Sequence, residues 1–197
     1  TCWWDFRSDW YLDELARLKA VAPPLALSEI PEGRRPAESD RFTGSAEEDY
    51  RRVVRYCATS EHGWLMPMGF EFGDAGVLDS VHADPAAFRS QAQSSNIQLT
   101  AAIAEANAIG RDLRRDIPAL HWEQLSAPNA AVLGEISAPI PNNGRWLRLT
   151  NAGHAREMVR PGVLLSRARA DTALKVHGDG ARQDSTITME PAELLLL

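Results

Sequence analysis

His62-Gly-Trp-Leu-Met-Pro-Met-Gly-Phe-Glu-Phe-Gly73 decides how the rest of the chain is read. Apolar residues crowd at Trp64, Leu65, Met66 and Met68, and glycines bound the run. A short, nearly continuous apolar run between glycines fits a buried parallel strand better than a half-exposed one, whose residues would alternate. Glu71 follows, between two phenylalanines. In open α/β sheets and barrels, ligands sit just beyond the carboxyl ends of the strands, so a carboxylate here is a candidate ligand-facing group. The alternative for Glu71 is a structural carboxylate that caps backbone or pairs with a cation. His62 precedes the strand, at its other end, and is expected to be structural.

Working toward the start, Tyr50, Val53, Val54, Cys57 and Ala58 recur at helical spacing and mark the clearest amphipathic helix of the chain. Ser45 with Glu48 forms a capping-box pattern at its start, and Glu47, Glu48 and Asp49 suit the helix dipole. Cys57 lies on the apolar face and reads as a core thiol. Before it comes a loop dense in charge and turn residues, Ser28-Glu-Ile-Pro-Glu-Gly-Arg-Arg-Pro36, and before that a short strand candidate, Leu25–Leu27. Pro23-Pro24 ends a first helix striped by Leu12, Leu15, Ala16 and Leu18, which Ser8 or Asp9 can cap. Trp3, Trp4, Phe6 and Trp10 crowd the first ten residues. They read either as a hydrophobic cluster or as a platform on which pyranose rings stack.

Working toward the end, Asp74 to Ser95 reads as a loop with one short helical turn opened by Asp84-Pro85. Ile103, Ala106, Gly110, Leu113 and Ile117 share a helical face that Pro118 stops. From about His121 the period changes. Ala131–Ile136, Trp146–Thr150, Ala173–Val176, Thr186–Met189 and Leu194–Leu197 are short apolar or alternating runs separated by Pro-Asn-Asn-Gly, Asn-Ala-Gly and Gly-Asp-Gly turns. This pattern predicts antiparallel strands in a small sandwich.

At 44% hydrophobic and 24% charged residues the composition is that of a globular protein, and a net charge of −6 gives no electrostatic reason to expect nucleic acid or an anionic membrane as partner. Cys2 and Cys57 are too few for a disulfide scaffold or a metal knuckle. His82, His121, His154 and His177 lack metal-ligand spacing, so no metal or cofactor is expected. No serine-hydrolase elbow, P-loop, dinucleotide fingerprint or zinc-peptidase motif occurs. No apolar run reaches membrane-span length and no signal peptide is visible, so the expected location is the cytoplasm. Two buried parallel strands cannot stand alone, since their faces and edges need cover. Together with the start at Thr1, this leads us to expect a fragment of a larger α/β barrel or sheet.

Several stretches occur in a telling order: Trp3-Trp-Asp-Phe-Arg-Ser-Asp-Trp10, Val21-Ala-Pro23, the acidic loop Ser28–Arg35, Gly63–Gly73, Leu99-Thr-Ala-Ala-Ile-Ala-Glu-Ala-Asn107 and Ile117-Pro-Ala-Leu120. This order resembles the C-terminal part of the alpha-amylase superfamily, glycoside hydrolase family 13, nearest the branch that includes maltosyltransferases using maltose 1-phosphate. The resemblance implies the last βα units of a TIM (β/α)8 barrel over residues 1–120 and a small antiparallel β-sandwich over 121–197, an α/β plus all-β chain. It also implies retaining chemistry with a carboxylate nucleophile and a carboxylic acid from barrel strands 4 and 5, neither of which lies in this chain.

The family's third carboxylate sits in a His-Asp pair after strand 7, followed by an arginine. The matching loop here is Glu29-Ile-Pro31-Glu32-Gly-Arg34-Arg35. Pro31 stands at the histidine position and cannot donate a hydrogen bond. Glu32 stands at the aspartate position and is longer by one methylene, so the site is altered. The expected catalytic residue is Glu32, as a carboxylate that stabilises the transition state. The expected substrate-binding residues are Arg35, Glu71, Trp3 and Trp4, and the alternative for Glu32 and Arg35 is a solvated ion-paired loop. Glu29 is a structural partner for Arg34 or Arg35. Trp122 and Trp146 are read as core or interdomain contacts.

Two functions follow. The first is part of an enzyme acting on alpha-glucans, by hydrolysis or glycosyl transfer, with the remainder of the barrel in cis or on a partner chain. The second is a non-catalytic relative that binds glucan or serves as a scaffold, which Pro31-Glu32 favours. The expected partner is an alpha-glucan or maltooligosaccharide, whose failure to bind would point to the scaffold role, and a homo-oligomer formed through an open barrel edge is expected if the chain folds alone. A stand-alone domain without a carbohydrate role is a third option.

Overall fold

The computed structural model describes residues 9–29, 35, 45–60, 62–76, 84–117, 120–127, 130–140, 144–167, 174–176, 179–182, 186–191 and 193–197. The chain forms two compact units, Thr1–Leu113 and Arg114–Leu197.

The first unit opens with helix α1 (Asp9–Lys19), whose end is closed by Val21 and Ala22 donating to Leu18 O. Strand β1 (Ala26–Leu27) follows the two prolines and pairs in parallel with β2 (Trp64–Leu65), Ala26 opposite Trp64 and Leu27 opposite Leu65. Helix α2 (Ala46–Ser60) connects them and lies against β1. Its stripe reads as expected: Tyr50, Val53, Val54, Cys57 and Ala58 are all fully buried. Burying this row of side chains is what holds a helix that isolated propensity would leave marginal.

The strand β2 is shorter and barer than its sequence suggests. It spans two residues, and Leu65 and Met68 are about half exposed. The physical reason is Pro67, which has no N–H for a ladder. The chain turns there, with Phe70 N donating to Pro67 O, into a 3-10 turn at Phe70–Phe72. Phe70 stacks at a tilt on Tyr50, ring centres 4.8 Å apart, and Phe72 meets Phe88 edge-on at 5.0 Å.

Helix α3 (Pro85–Ser94) corrects the expectation of a loop with a single turn. Asp84 Oδ1 accepts from Ala86 N at 2.8 Å and Pro85 takes the first helical position, so the helix starts as the sequence indicates and then continues for ten residues. None of its residues is buried, which is why no apolar stripe announces it. In α4 (Thr100–Asp116) the buried face is Ala102, Ala106, Gly110 and Leu113, with Ile103 only partly covered.

The second unit is antiparallel throughout its described pairings. Strands β3 (Trp122–Gln124), β4 (Val132–Ser137), β5 (Leu147–Asn151) and β10 (Leu194–Leu196) form one sheet in the order β10-β5-β4-β3. Two smaller pairs are β6 (Glu157–Val159) with β9 (Ile187–Met189), and β7 (Leu174–Val176) with β8 (Asp179–Arg182). The strands expected at 131–136, 146–150, 173–176, 186–189 and 194–197 are all present within one or two residues. Strands β3, β6 and β8 and the short helix α5 (Pro161–Arg167) lack a clear apolar period and were not expected.

One face of the large sheet carries Ile136, Leu147 and Leu149 into a core completed by Leu164 and Leu165 of α5 and Ile187 and Met189 of β9. Gly134 opens room for this: a Cβ there would lie 2.6 Å from Leu164 Cδ1. Trp122 and Trp146 pack against Ile117, Leu120 and Ile140, a core role as expected. The cross-strand pair Glu135 and Arg148 is buried, with Arg148 Nε 2.8 Å from Glu135 Oε2 and its guanidinium 4.5 Å above the Trp122 ring. Because Leu149 is fully buried at the centre of this sheet, Leu149→Ala is expected to destabilise the chain by about 2–5 kcal/mol. Urea unfolding of the full chain checks this, and a midpoint unchanged from wild type would contradict the packing described.

Candidate active-site loop

Because β1 and β2 run parallel, the segments that follow them leave the same end of the pair. One segment begins at Ser28 and Glu29. The other runs from Met66 through the 3-10 turn to Gly76. Arg35 joins them. Its Nε donates to Glu29 Oε2 at 3.1 Å, and Nη2 donates to Glu29 Oε1 and to Met68 O at 3.0 Å. Its Nη1 donates to Asp74 Oδ2 and to Gly76 O, both at 3.3 Å. A guanidinium has five N–H donors, and each of them here has an acceptor.

Arg35 and Glu29 are both 1% exposed. A cation buried to this degree is tolerated only when its donors are met and its charge is balanced. Burial pushes the Glu29 carboxyl above its ordinary value, against the hydrogen bonds and charge of Arg35, which pull it down. The nearby charges of Asp74 and Glu71 add to the rise.

The second segment is built around Gly69 and Gly73, with φ of 93° and 66°. Only glycine takes such angles without steric cost. Space demands glycine as well: a Cβ at Gly69 would lie 2.9 Å from Asp74 Cβ and 3.1 Å from Arg35 Nη1, and one at Gly73 would lie 2.7 Å from Ile97 Cδ1. Asp74 N donates to Gly69 O at 2.9 Å, and Asp74 Oδ1 accepts from Gly76 N at 2.8 Å. Glu71 sits at the middle of the 3-10 turn, partly exposed, and its Oε2 accepts from Gly69 N at 2.9 Å.

The structure therefore brings two of the expected site residues, Arg35 and Glu71, onto one loop assembly. Their immediate contacts are internal: Arg35 is enclosed by protein acceptors, and Glu71 spends one oxygen on the loop backbone. Glu29 is the structural partner of Arg35, one of the two arginines between which its reading was open. Glu32, Trp3 and Trp4 lie outside the described residues. Asp74 was not singled out in the sequence, although Gly-Phe-Glu-Phe-Gly-Asp, with turn glycines on both sides of the aromatics, carries the signal. Among the described residues no group of histidine, cysteine and acidic side chains could hold a metal ion. No helix among them is long and apolar enough to cross a membrane.

No protein-family model matches the chain. Over 120 residues it is 38% identical to the alpha-1,4-glucan:maltose-1-phosphate maltosyltransferase of Burkholderia pseudomallei, a match over 60% of this chain and 10% of that protein. That stretch of the chain is therefore similar in sequence to part of a maltosyltransferase. It spans about a tenth of the length of that relative. Solved structures agree in fold. Amy13B of Eubacterium rectale superposes with a TM-score of 0.60 over 98% of this chain and 42% of its own. AmyP, crystallised in complex with maltotriose and with maltose, gives 0.57 over 94% of this chain and 44% and 43% of its own. Each is 14% identical to this chain, a likeness that shows the fold alone: part of an alpha-amylase fold.

Two outcomes follow from the loop geometry. Gly69→Ala forces a side chain into a left-handed backbone and against Asp74, and is expected to cost about 1–3 kcal/mol of stability, read from thermal unfolding. A melting curve that overlays wild type would mean that the turn is not held as described. The Glu29 carboxyl holds its proton more tightly folded than unfolded, so its contribution to stability is present below its ordinary value of 4.5 and is lost as pH rises through the folded value. Wild type is therefore expected to lose stability relative to Glu29→Gln as pH is raised from about 4.5 toward neutrality. A difference that stays flat or widens in favour of wild type would show that Arg35, not burial, governs this carboxyl.

Proposed function

We propose that this chain is part of an alpha-glucan-active protein of the alpha-amylase superfamily. In this reading residues 1–120 are the last βα units of a (β/α)8 barrel and residues 121–197 the β-sandwich that follows it. The observation that carries the proposal is the 38% identity over 120 residues with a maltosyltransferase, a protein whose named substrates are an alpha-1,4-glucan and maltose 1-phosphate. The parallel β1–β2 pair, with its two following segments joined by Arg35, supports it, because barrel sites form at that end of the strands. One neighbour in fold, AmyP, was crystallised with maltose and, as a variant, with maltotriose, which supports a maltooligosaccharide as the ligand.

The proposed roles follow the residues. Glu32 is the carboxylate facing the reacting sugar and Glu71 accepts a hydrogen bond from a sugar hydroxyl. Trp3 and Trp4 offer faces for pyranose stacking. Arg35, proposed from sequence as a substrate contact, is better suited to anchoring, since its five donors are already engaged within the protein. The nucleophile and the general acid come from other strands of the barrel, in cis or on a partner chain.

A second reading is a non-catalytic glucan-binding relative or scaffold. The replacement of a His-Asp pair by Pro31-Glu32 favours it, since proline offers no donor and glutamate shifts the carboxylate by a methylene.

Calorimetric titration of the full chain with maltohexaose, alongside phosphate release from maltose 1-phosphate in the presence of an alpha-1,4-glucan, separates these readings. Saturable binding is expected, and Glu32→Ala is expected to weaken it. Binding without phosphate release from the chain assembled with its barrel partner would favour the second reading. Absence of any binding, with the chain folded, would remove the glucan role altogether.

A further inference from the structure

We infer that Arg35 is the positioning residue for Glu71, acting through the loop from Met68 to Gly76. The inference rests on the proposed reading of Glu71 as a sugar-facing carboxylate.

Arg35 bonds to this loop on both sides of Glu71. It meets Met68 O before it and Asp74 Oδ2 and Gly76 O after it. The direction of the Glu71 carboxylate is set by its bond to Gly69 N, and Gly69 lies directly against Arg35, where even a Cβ would stand 3.1 Å from Nη1. The other side of the turn is held independently. Leu99 N donates to Glu71 O at 2.8 Å, and Ser95 Oγ donates to Phe72 O at 2.5 Å. Loss of Arg35 therefore leaves the turn anchored at Ser95 and Leu99, while the Gly69 side that aims the carboxylate keeps only bonds internal to the loop, from Phe72 N and Asp74 N to Gly69 O. Glu29 supplies the buried counter-charge that keeps the guanidinium in place. A hydrogen bond weakens steeply with distance and angle, so a shift of about an ångström is enough to cost Glu71 its ligand bond.

The test is a double-mutant cycle on maltohexaose affinity, measured by calorimetry on the full chain. Glu71→Gln is expected to raise Kd about tenfold, the scale of one charge-assisted hydrogen bond. Arg35→Met is expected to raise it to a similar degree. The double variant is expected to bind no more weakly than Glu71→Gln alone, because Arg35 acts through Glu71. Asp74→Asn, a milder change that keeps the shape of the loop, is expected to weaken binding less, and again not in the Glu71→Gln background. Leu149→Ala serves as the control for stability and is expected to lower the unfolding midpoint while leaving Kd unchanged.

Should Arg35→Met not fold, the Asp74→Asn cycle decides. Losses that add in the double variants, or wild-type affinity in the Arg35 and Asp74 variants beside a weakened Glu71→Gln, would overturn the positioning role. Wild-type affinity in Glu71→Gln would instead overturn the sugar-facing reading of Glu71, and this inference with it.

Discussion

One guanidinium organises the loop end of the β1–β2 pair. Arg35 is enclosed by protein, and a buried arginine is costly unless its charge and its donors are met. That requirement fixes three pieces of chain at once: Glu29 beyond β1, the backbone of Met68 beyond β2, and the Asp74–Gly76 turn. A lysine could not substitute, because its three donors on a single nitrogen cannot reach acceptors spread around a plane. The glycines of the loop belong to the same constraint. Gly69 is bare because Asp74 and Arg35 occupy the space a side chain would need.

The second unit solves a related problem differently. Its buried pair, Glu135 and Arg148, are direct neighbours across two paired strands, and the guanidinium rests on the Trp122 ring. Strand register supplies that geometry, so the pair adds little constraint that the sheet lacks. Arg35, in contrast, bonds to residues 33, 39 and 41 positions away, in the segment that follows β2 and not in a strand paired with its own. The first arrangement is what a stable core uses. The second fixes a loop where no regular structure would, which is what a binding or reacting surface needs.

This contrast also explains how much could be read from sequence. The stripe Tyr50, Val53, Val54, Cys57 and Ala58 announces α2 because burial and helical period coincide there. The runs that became β4, β5, β9 and β10 announce themselves because their residues fill a core. Helix α3 buries none of its residues, and α5 is only seven residues long, so neither shows a period. The apolar look of Trp64 to Met68 overstated β2, because Pro67 cuts the ladder whatever the hydropathy around it. At the candidate site, Glu71 was visible as a charge just beyond a strand, and Arg35 through the resemblance of its loop. That the two belong to one assembly was not visible, because the bonds that join Arg35 to the Met68–Gly76 loop span 33 to 41 residues and leave no local pattern.

The bond between Glu29 and Arg35 bears on the proposed role of Glu32. These two residues stand six positions apart and are held by a two-pronged charge-assisted contact, so both ends of the intervening segment are fixed at one point beside the 3-10 turn. In the proposed reading Pro31 and Glu32, which stand where the resembled family has a His-Asp pair, fall between these two residues in the sequence. A buried ion pair is not in itself an efficient source of stability, so its weight here is positional: it holds Glu29 and Arg35 together beside the loop that follows β2. In the proposed reading, the choice between a modified enzyme and a glucan-binding relative turns on what Glu32 can do without a donor at position 31.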